Sequence, residues 1–143
     1  MPGDIVKNRD DQILNLVVPA TAEYLSLLRL VVGAAAKVIG FNDDHVADIK
    51  VALSEASTNV VKHAYETRCK QCDRVIEVTC YDLEGSLAIE VIDHGEGMPV
   101  LPPASRGLGF GIMGSLMDKV NVETDHSGTT VLMVKEFESA RTG

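Results

Sequence analysis

The chain has little of several features that mark other classes of protein. Its 143 residues include no Trp and only 4% aromatic residues, so the core must be built from aliphatic side chains and Met. Three cysteines are too few for a full disulfide framework. The 21 acidic residues outnumber the 13 basic ones, and a net charge of −8 argues against a nucleic-acid partner. No apolar run could span a bilayer and no signal peptide begins the chain, so we expect no membrane partner and a cytoplasmic protein.

Two of the cysteines, Cys69 and Cys72, have the spacing of a zinc-binding or redox pair. A zinc site would need two more ligands, and Cys80 and His63 are the only nearby candidates. The alternative is three free thiols in a reducing compartment, because disulfides are rare in the cytosol. The sequence alone leaves the role of these cysteines open.

The hydrophobic pattern predicts a disordered leader over residues 1–11 and one α+β domain over residues 12–138. The predicted elements are a strand (13–18), two helices (21–39, with Thr21 as N-cap, and 43–65), a strand pair (75–93), a helix (108–119) and a second strand pair (120–137). This order favours a two-layer α/β sandwich, in which helices cover one face of a mixed, mostly antiparallel sheet. Strict βαβ alternation is missing, which argues against a Rossmann fold.

Three polar residues follow one another at four-residue spacing along one face of the second predicted helix: Glu55, Asn59 and His63. The carboxamide of Asn59 offers an oxygen ligand suited to a hard cation such as Mg²⁺. Glu55 could then accept a proton from a hydroxyl group or from water. The alternative is a solvated polar stripe on the exposed side of the helix.

The segment "VIDHGEGM" (91–98) ends an apolar strand on Asp93, and Gly95 and Gly97 follow. Alone, this pattern is typical of an ordinary strand end with turn glycines. Further along, three alternating glycines precede the third predicted helix and would expose free amides to an anion, unless they serve close helix–sheet packing. These glycines are Gly107, Gly109 and Gly111. Thr129 and Thr130 then enter the last strand after Gly128.

These four motifs occur in one chain in a fixed order, and in that order they resemble the GHKL ATPase superfamily (gyrase, Hsp90, histidine kinases) with its N, G1, G2 and G3 boxes. The segments "VPATAEYLSLLRLVV", "ADIKVALSEASTNVVKHAYE" and "GLGFGIMGSLMDKVNVE" look specifically like the bacterial anti-sigma factor serine kinases of the RsbW and SpoIIAB kind. The resemblance covers residues 13–135 and implies the Bergerat fold, with ATP or ADP and Mg²⁺ as cofactors. It also implies a homodimer that phosphorylates a STAS-domain anti-anti-sigma protein and sequesters a sigma factor.

The resemblance further implies a role for individual residues. Glu55 would be the general base and Asn59 the Mg²⁺ ligand. Asp93 would accept a hydrogen bond from the adenine amino group, with Gly95 and Gly97 giving room for the base. The remaining nucleotide-binding residues would be Lys62, His63, Met98, Arg106, Gly107, Leu108, Gly109, Gly111, Thr129 and Thr130. The spacing after Gly128 slightly favours Thr129 over Thr130 at the adenine, and a structural role for His63 is an equal alternative.

Arg29 is an isolated cation in a strongly apolar helix. It could contact an acidic surface of a partner protein, or its aliphatic stem could cover the helix edge while the guanidinium reaches water.

The segment between Gly97 and Gly107 is short and rich in proline, whereas many relatives have a longer ATP lid there. Two function classes therefore remain. The first is a protein serine kinase that also binds a sigma factor, and the second is a nucleotide-gated partner switch with little or no kinase activity.

Overall fold

Five strands form one sheet, and three helices lie on one of its faces. The computed structural model describes residues 11–64, 74–95, 111–125 and 128–137. The strands are β1 (Gln12–Pro19), β2 (Val75–Leu83), β3 (Ser86–Asp93), β4 (Lys119–Asp125) and β5 (Gly128–Glu136), and the helices are α1 (Leu25–Ile39), α2 (Asp43–Asn59) and α3 (111–116). The strand order is β1-β2-β3-β5-β4, and each pair of neighbouring strands is antiparallel. The predicted α+β sandwich is confirmed.

The first helix begins later than predicted. Thr21 stands at an N-cap position but its side chain makes no capping bond, and a 3₁₀ turn (Ala22–Tyr24) precedes α1. The helix ends at Gly40, whose φ of 120° is accessible to a residue without a Cβ.

The start of α2 agrees with the prediction and its end differs. The side chain of Asn42 caps the helix by accepting a hydrogen bond of 2.8 Å from the backbone N–H of His45. Regular α-helix stops at Asn59 and continues as a π-helical turn, Val60–Ala64, before the end predicted at residue 65. A π turn at this point changes the direction of the side chains that follow it.

The third helix was predicted to reach residue 119, and this is wrong at its C-terminal end. The helix stops at residue 116, and Lys119 already belongs to β4. A tertiary contact ends the helix, because the N–H of Asp118 donates to the carbonyl oxygen of Val134 and joins the chain to β5.

The core lies between the helices and the inner face of the sheet. The apolar spacing predicts that Val46, Ile49, Leu53, Ala56 and Val60 point inward from the second helix, and all of them are buried. On α1 it predicts Leu25, Leu28, Val32, Ala35 and Ile39. The first three are buried, but Ala35 and Ile39 are only half-buried, and Ala36 is buried instead. The fully buried side chains include Leu28, Val32, Ile49, Leu53, Ile76, Val78, Leu87, Ile89, Val91, Met113 and Met133. On the outer face Ala88, Leu132 and Val134 form a small buried cluster, against which Tyr81 and Leu83 pack.

Residues 1–10 of the predicted leader and residue 138, the predicted end of the domain, lie outside the described residues, so both boundaries of the domain stay predictions. No helix within the described ranges is both long enough and apolar enough to cross a bilayer.

Candidate functional site

Asp93 ends β3 as a buried carboxylate, with 2% of its surface exposed. Its Oδ1 atom accepts hydrogen bonds from the N–H groups of Gly95 (3.1 Å) and Thr129 (3.3 Å). Its Oδ2 atom is buried and has no hydrogen-bond partner among the described residues. Burial raises the pKa of this carboxyl above its usual value, and the two N–H donors oppose that shift without cancelling it. A buried acceptor without a partner is costly, so the site fits a ligand that brings a donor.

Gly128 and Thr129 at the start of β5 hold Asp93 in place. Asp93 and Thr129 are register partners, as are Thr129 and Thr124 on the neighbouring strand. The hydroxyls of Thr124 and Thr129 lie 2.8 Å apart, which ties the ends of β4 and β5 together on the inner face. A Cβ on Gly128 would collide with the carbonyl oxygen of Asp93, so only glycine allows this close approach.

Of the two predicted threonines, the structure brings Thr129 and not Thr130 to Asp93. Successive strand residues point to opposite faces, and Thr130 pairs with Ile92 on the face away from the helices. Strand register thus places Thr129 beside Asp93, and the choice of threonine at the adenine stays a prediction.

A cleft of about 450 Å³ lies at the same strand ends and is lined by residues of both faces of the sheet. By strand alternation Asp93 and Thr124 belong to the inner face, and Ile92, Glu123 and Thr130 belong to the outer face. Asp93 lines the cleft, although its Oδ2 atom is buried from solvent.

His94, which also lines this cleft, is exposed and links the end of β3 to β2. Its Nε2 atom lies 3.1 Å from Oε1 of Glu77. The other carboxylate oxygen of Glu77 accepts a 2.9 Å hydrogen bond from Asn15 on β1. The Asn15 bond, followed by His94, lowers the pKa of Glu77 against the opposing effect of burial. These contacts fasten the strand that carries Asp93.

The N-terminal half of α2 lies over the far end of β5, where the Oδ2 atom of Asp48 is 3.5 Å from Nζ of Lys135. The core-facing residues of α2 beyond Asp48 are buried, so the helix continues over the sheet. It rises about 16 Å from Asp48 to Asn59.

Glu55 and Asn59 are both half-buried, which argues against a fully solvated polar stripe. They share one flank of α2 with Asp48, at spacings of seven and four residues. Lys62 lies in the π-helical turn and is exposed, and the side chain of His63 is outside the described residues.

Gly111 is the first described residue of α3, and a Cβ added there would meet no described atom within 4 Å. Packing against the described residues therefore does not require glycine at this position. Six other predicted site residues lie outside the described residues: Gly97, Met98, Arg106, Gly107, Leu108 and Gly109.

Arg29 is held between α1 and α2. Its guanidinium donates to the hydroxyls of Ser54 (3.2 Å) and Ser26 (3.1 Å), and within the described part of the chain no carboxylate pairs with it. A cation that is positioned by hydroxyls keeps its charge available to another molecule.

Cys80 is a free thiol buried in the core. Burial raises its pKa to about 12, so at neutral pH it is protonated and unsuited to bind a metal. Cys69 and Cys72 lie outside the described residues, and within those residues no cluster of three metal-binding side chains occurs.

The site fits the nucleotide and the ion that the resemblance implies. The Oδ2 atom of Asp93, which has no partner in the described part of the chain, could accept a hydrogen bond from the amino group of adenine. The amide N–H groups of Gly95 and Thr129 keep the other oxygen occupied. For Mg²⁺ the fitting group is the carboxamide of Asn59, because this ion takes few protein ligands and completes its shell with water and phosphate oxygens.

Comparisons with known proteins define the class. The histidine kinase-like ATPase domain family matches residues 18–135 of the chain. Among solved structures, the chain resembles the RsbU and RsbW domains of a Mycobacterium tuberculosis protein with a TM-score of 0.67 at 23% identity, over 86% of this chain and 31% of that one. It also resembles the SiaB–SiaC complex of Pseudomonas aeruginosa with a TM-score of 0.64 at 12% identity, over 88% of this chain and 90% of that one. At these levels of sequence identity, the two solved structures show only that this chain shares their fold.

Curated relatives narrow the class further. The serine-protein kinase RsbW of Bacillus subtilis is 33% identical, over 95% of this chain and 92% of that protein. RsbW of Bacillus thuringiensis is also 33% identical, over 87% of this chain and 85% of that protein. The chain therefore belongs to the RsbW group within the histidine kinase-like ATPase domain family.

Proposed function

We propose that the protein is an anti-sigma factor with Mg²⁺- and ATP-dependent serine kinase activity, acting as a cytoplasmic homodimer. In this proposal it phosphorylates a STAS-domain anti-anti-sigma protein and sequesters a sigma factor. The observation that carries the proposal is the buried Oδ2 atom of Asp93, which lacks a partner among the described residues in a chain of the RsbW group.

Asp93 recognises the base. Its Oδ2 accepts a hydrogen bond from the adenine amino group, while Gly95 and Thr129 occupy Oδ1 and so fix the orientation of the carboxylate. A guanine base presents a carbonyl oxygen at that position, and two acceptors would face each other. The site therefore selects adenine over guanine.

Glu55 and Asn59 act at the other end of the nucleotide. Mg²⁺, held by Asn59, would neutralise charge on the phosphate oxygens when bound. The partner's serine oxygen forms a bond to the γ-phosphorus, the bond from that phosphorus to the bridging oxygen of ADP breaks, and the proton of the hydroxyl passes to Glu55. Lys62, His63, Gly111 and the glycines before α3 complete the phosphate contacts in this proposal.

Arg29 offers a contact for a protein partner. Its hydrogen bonds to Ser26 and Ser54 limit the conformations of a long side chain, so less entropy is lost when it meets an acidic surface.

The test is to incubate the protein with Mg²⁺, γ-labelled ATP and a STAS-domain partner. We expect label on a serine of the partner. Intact ATP binding without transfer would refute the kinase activity and favour the second candidate, a nucleotide-gated partner switch. The observation that favours this second candidate is the short segment with three prolines between Gly97 and Gly107.

A further inference from the structure

Lys135 is a buried cation on the inner face of the sheet. It follows Val131 and Met133 at alternating positions of β5, and only 8% of its side chain is exposed. Its Nζ atom donates to the carbonyl oxygen of Leu116 at the C-terminal end of α3 and lies 3.5 Å from Oδ2 of Asp48 on α2. A buried ammonium group is costly unless it is paired. One amine therefore joins three elements.

The hydrogen bond from Lys135 is one of three contacts that hold the end of α3, and it differs from the other two in the elements it joins. The N–H of Asp118 donates to the carbonyl of Val134 (2.8 Å), and the N–H of Glu136 donates to Oδ2 of Asp118 (2.7 Å). Both bonds attach the chain after α3 to β5. Of these three contacts, only the bond from Lys135 also links α3 to α2.

The two elements that Lys135 joins are those that carry the proposed phosphate end of the site. On α2, Asp48 lies on the same flank as Glu55 and Asn59, and Glu55 is about 10 Å further along the helix. On α3, Leu116 is about 7.5 Å from Gly111 at the described start of the helix. A shift of α3 against α2 would therefore alter the distance between Gly111 and the flank that bears Asn59.

We propose that Lys135 is a positioning residue for the triphosphate: by holding the end of α3 to Asp48, it sets the spacing between α3 and the Glu55–Asn59 flank of α2. This inference rests on the proposed function. Asp93 is fastened separately, by Gly95 and Thr129, so the adenine contact does not depend on Lys135.

The test compares Lys135→Met with Lys119→Met by calorimetric titration of ATP with Mg²⁺, and of adenosine by displacement. Methionine fills a similar length, and Asp48, whose side chain is 37% exposed, can be hydrated when its partner is lost. Lys119 is exposed and lies on β4, so its variant loses the same charge without the same contact. Both proteins are measured well below their unfolding temperatures.

We expect Lys135→Met to raise the dissociation constant for ATP about tenfold over the Lys119→Met control, about 1.4 kcal/mol, and to change that for adenosine less than twofold. Asp48→Asn should weaken ATP binding about threefold, and the effects of the two substitutions should not add in the double variant. An unchanged ATP affinity, or an equal loss for ATP and adenosine, would overturn the positioning role. Wild-type protein that binds neither ligand would refute the proposed function itself, and the positioning role with it.

Discussion

Replacing Asp93 with Asn converts one carboxylate oxygen into an NH₂ group and leaves the shape of the side chain unchanged. The N–H groups of Gly95 and Thr129 require an acceptor, so the remaining oxygen of Asn must take the place of Oδ1. The NH₂ group then occupies the place of Oδ2 and points donors at the amino group of adenine. A favourable contact becomes a contact between two donors.

The size of the expected loss in ATP binding follows from this geometry. A hydrogen bond to a charged group is worth about 1.5–3 kcal/mol, and leaving buried donors unpaired costs about 1–3 kcal/mol more. We expect a net loss of about 3 kcal/mol, which weakens ATP binding about 100-fold. Inosine triphosphate carries a carbonyl oxygen in place of the amino group, so the variant should bind it more tightly than the wild-type protein does.

The assay is calorimetric titration of both nucleotides with Mg²⁺ into the wild type, Asp93→Asn and the control Asp82→Asn. Asp82 is exposed on β2, so its variant makes the same substitution away from the site. Burial raises the pKa of Asp93, so removing this charge should not destabilise the fold, and thermal unfolding checks this. If ATP affinity is unchanged and inosine triphosphate gains nothing, the assignment of Asp93 to the adenine is wrong.

Three further predictions follow from the same site. Glu55→Gln should lower phosphate transfer at least about 100-fold and leave the ATP dissociation constant within about twofold; surviving transfer would remove Glu55 as the base. Gly128 has a φ of 141°, and a Cβ at this position would collide with the carbonyl oxygen of Asp93. Gly128→Ala should therefore lower the free energy of unfolding, measured by chemical denaturation, by about 2–4 kcal/mol. Gly114→Ala is the matched control, because a Cβ there meets no described atom within 4 Å, and equal losses would contradict the collision. Because the pKa of Asp93 is raised, adenosine binding should weaken on acidification with a midpoint above the usual 3.8, and a flat profile would contradict this. The same shift stabilises the folded protein at acid pH, and that contribution is lost as the pH rises through the folded-state pKa.

Local patterns were sufficient to predict much of the fold. Alternating apolar residues indicated the strands, and the period of α2 correctly assigned its inward residues because that helix lies flat on the sheet. The predicted start of α1 and the predicted C-terminal end of α3 were wrong, whereas α1 ends before Gly40 as predicted. Thr21 can cap a helix by its residue type, but its side chain makes no such bond, and the end of α3 depends on a hydrogen bond from Asp118 to a residue 16 positions away.

In the candidate site, too, some residues could be selected from the sequence and others only from the structure. Motif order was enough to select Glu55, Asn59 and Asp93, because each belongs to a short segment with a recognisable pattern. Thr129 could not be separated from Thr130 until the register with Asp93 placed them on opposite faces. Lys135 was missed, although a lysine at an inward position of an apolar strand was a signal that could have found it.

The sequence by itself determined the family, the α+β class and the candidate residues of the site, since these depend on local periodicity and on motifs within a few residues of each other. Only the tertiary structure decided which oxygen of Asp93 lacks a partner among the described residues, which threonine stands beside it and what holds α3 to α2. Each of these depends on atoms far apart in the chain, such as Asp93 with Thr129 or Asp48 with Lys135. Pairing between distant residues is fixed by strand register and helix packing, which no local pattern encodes.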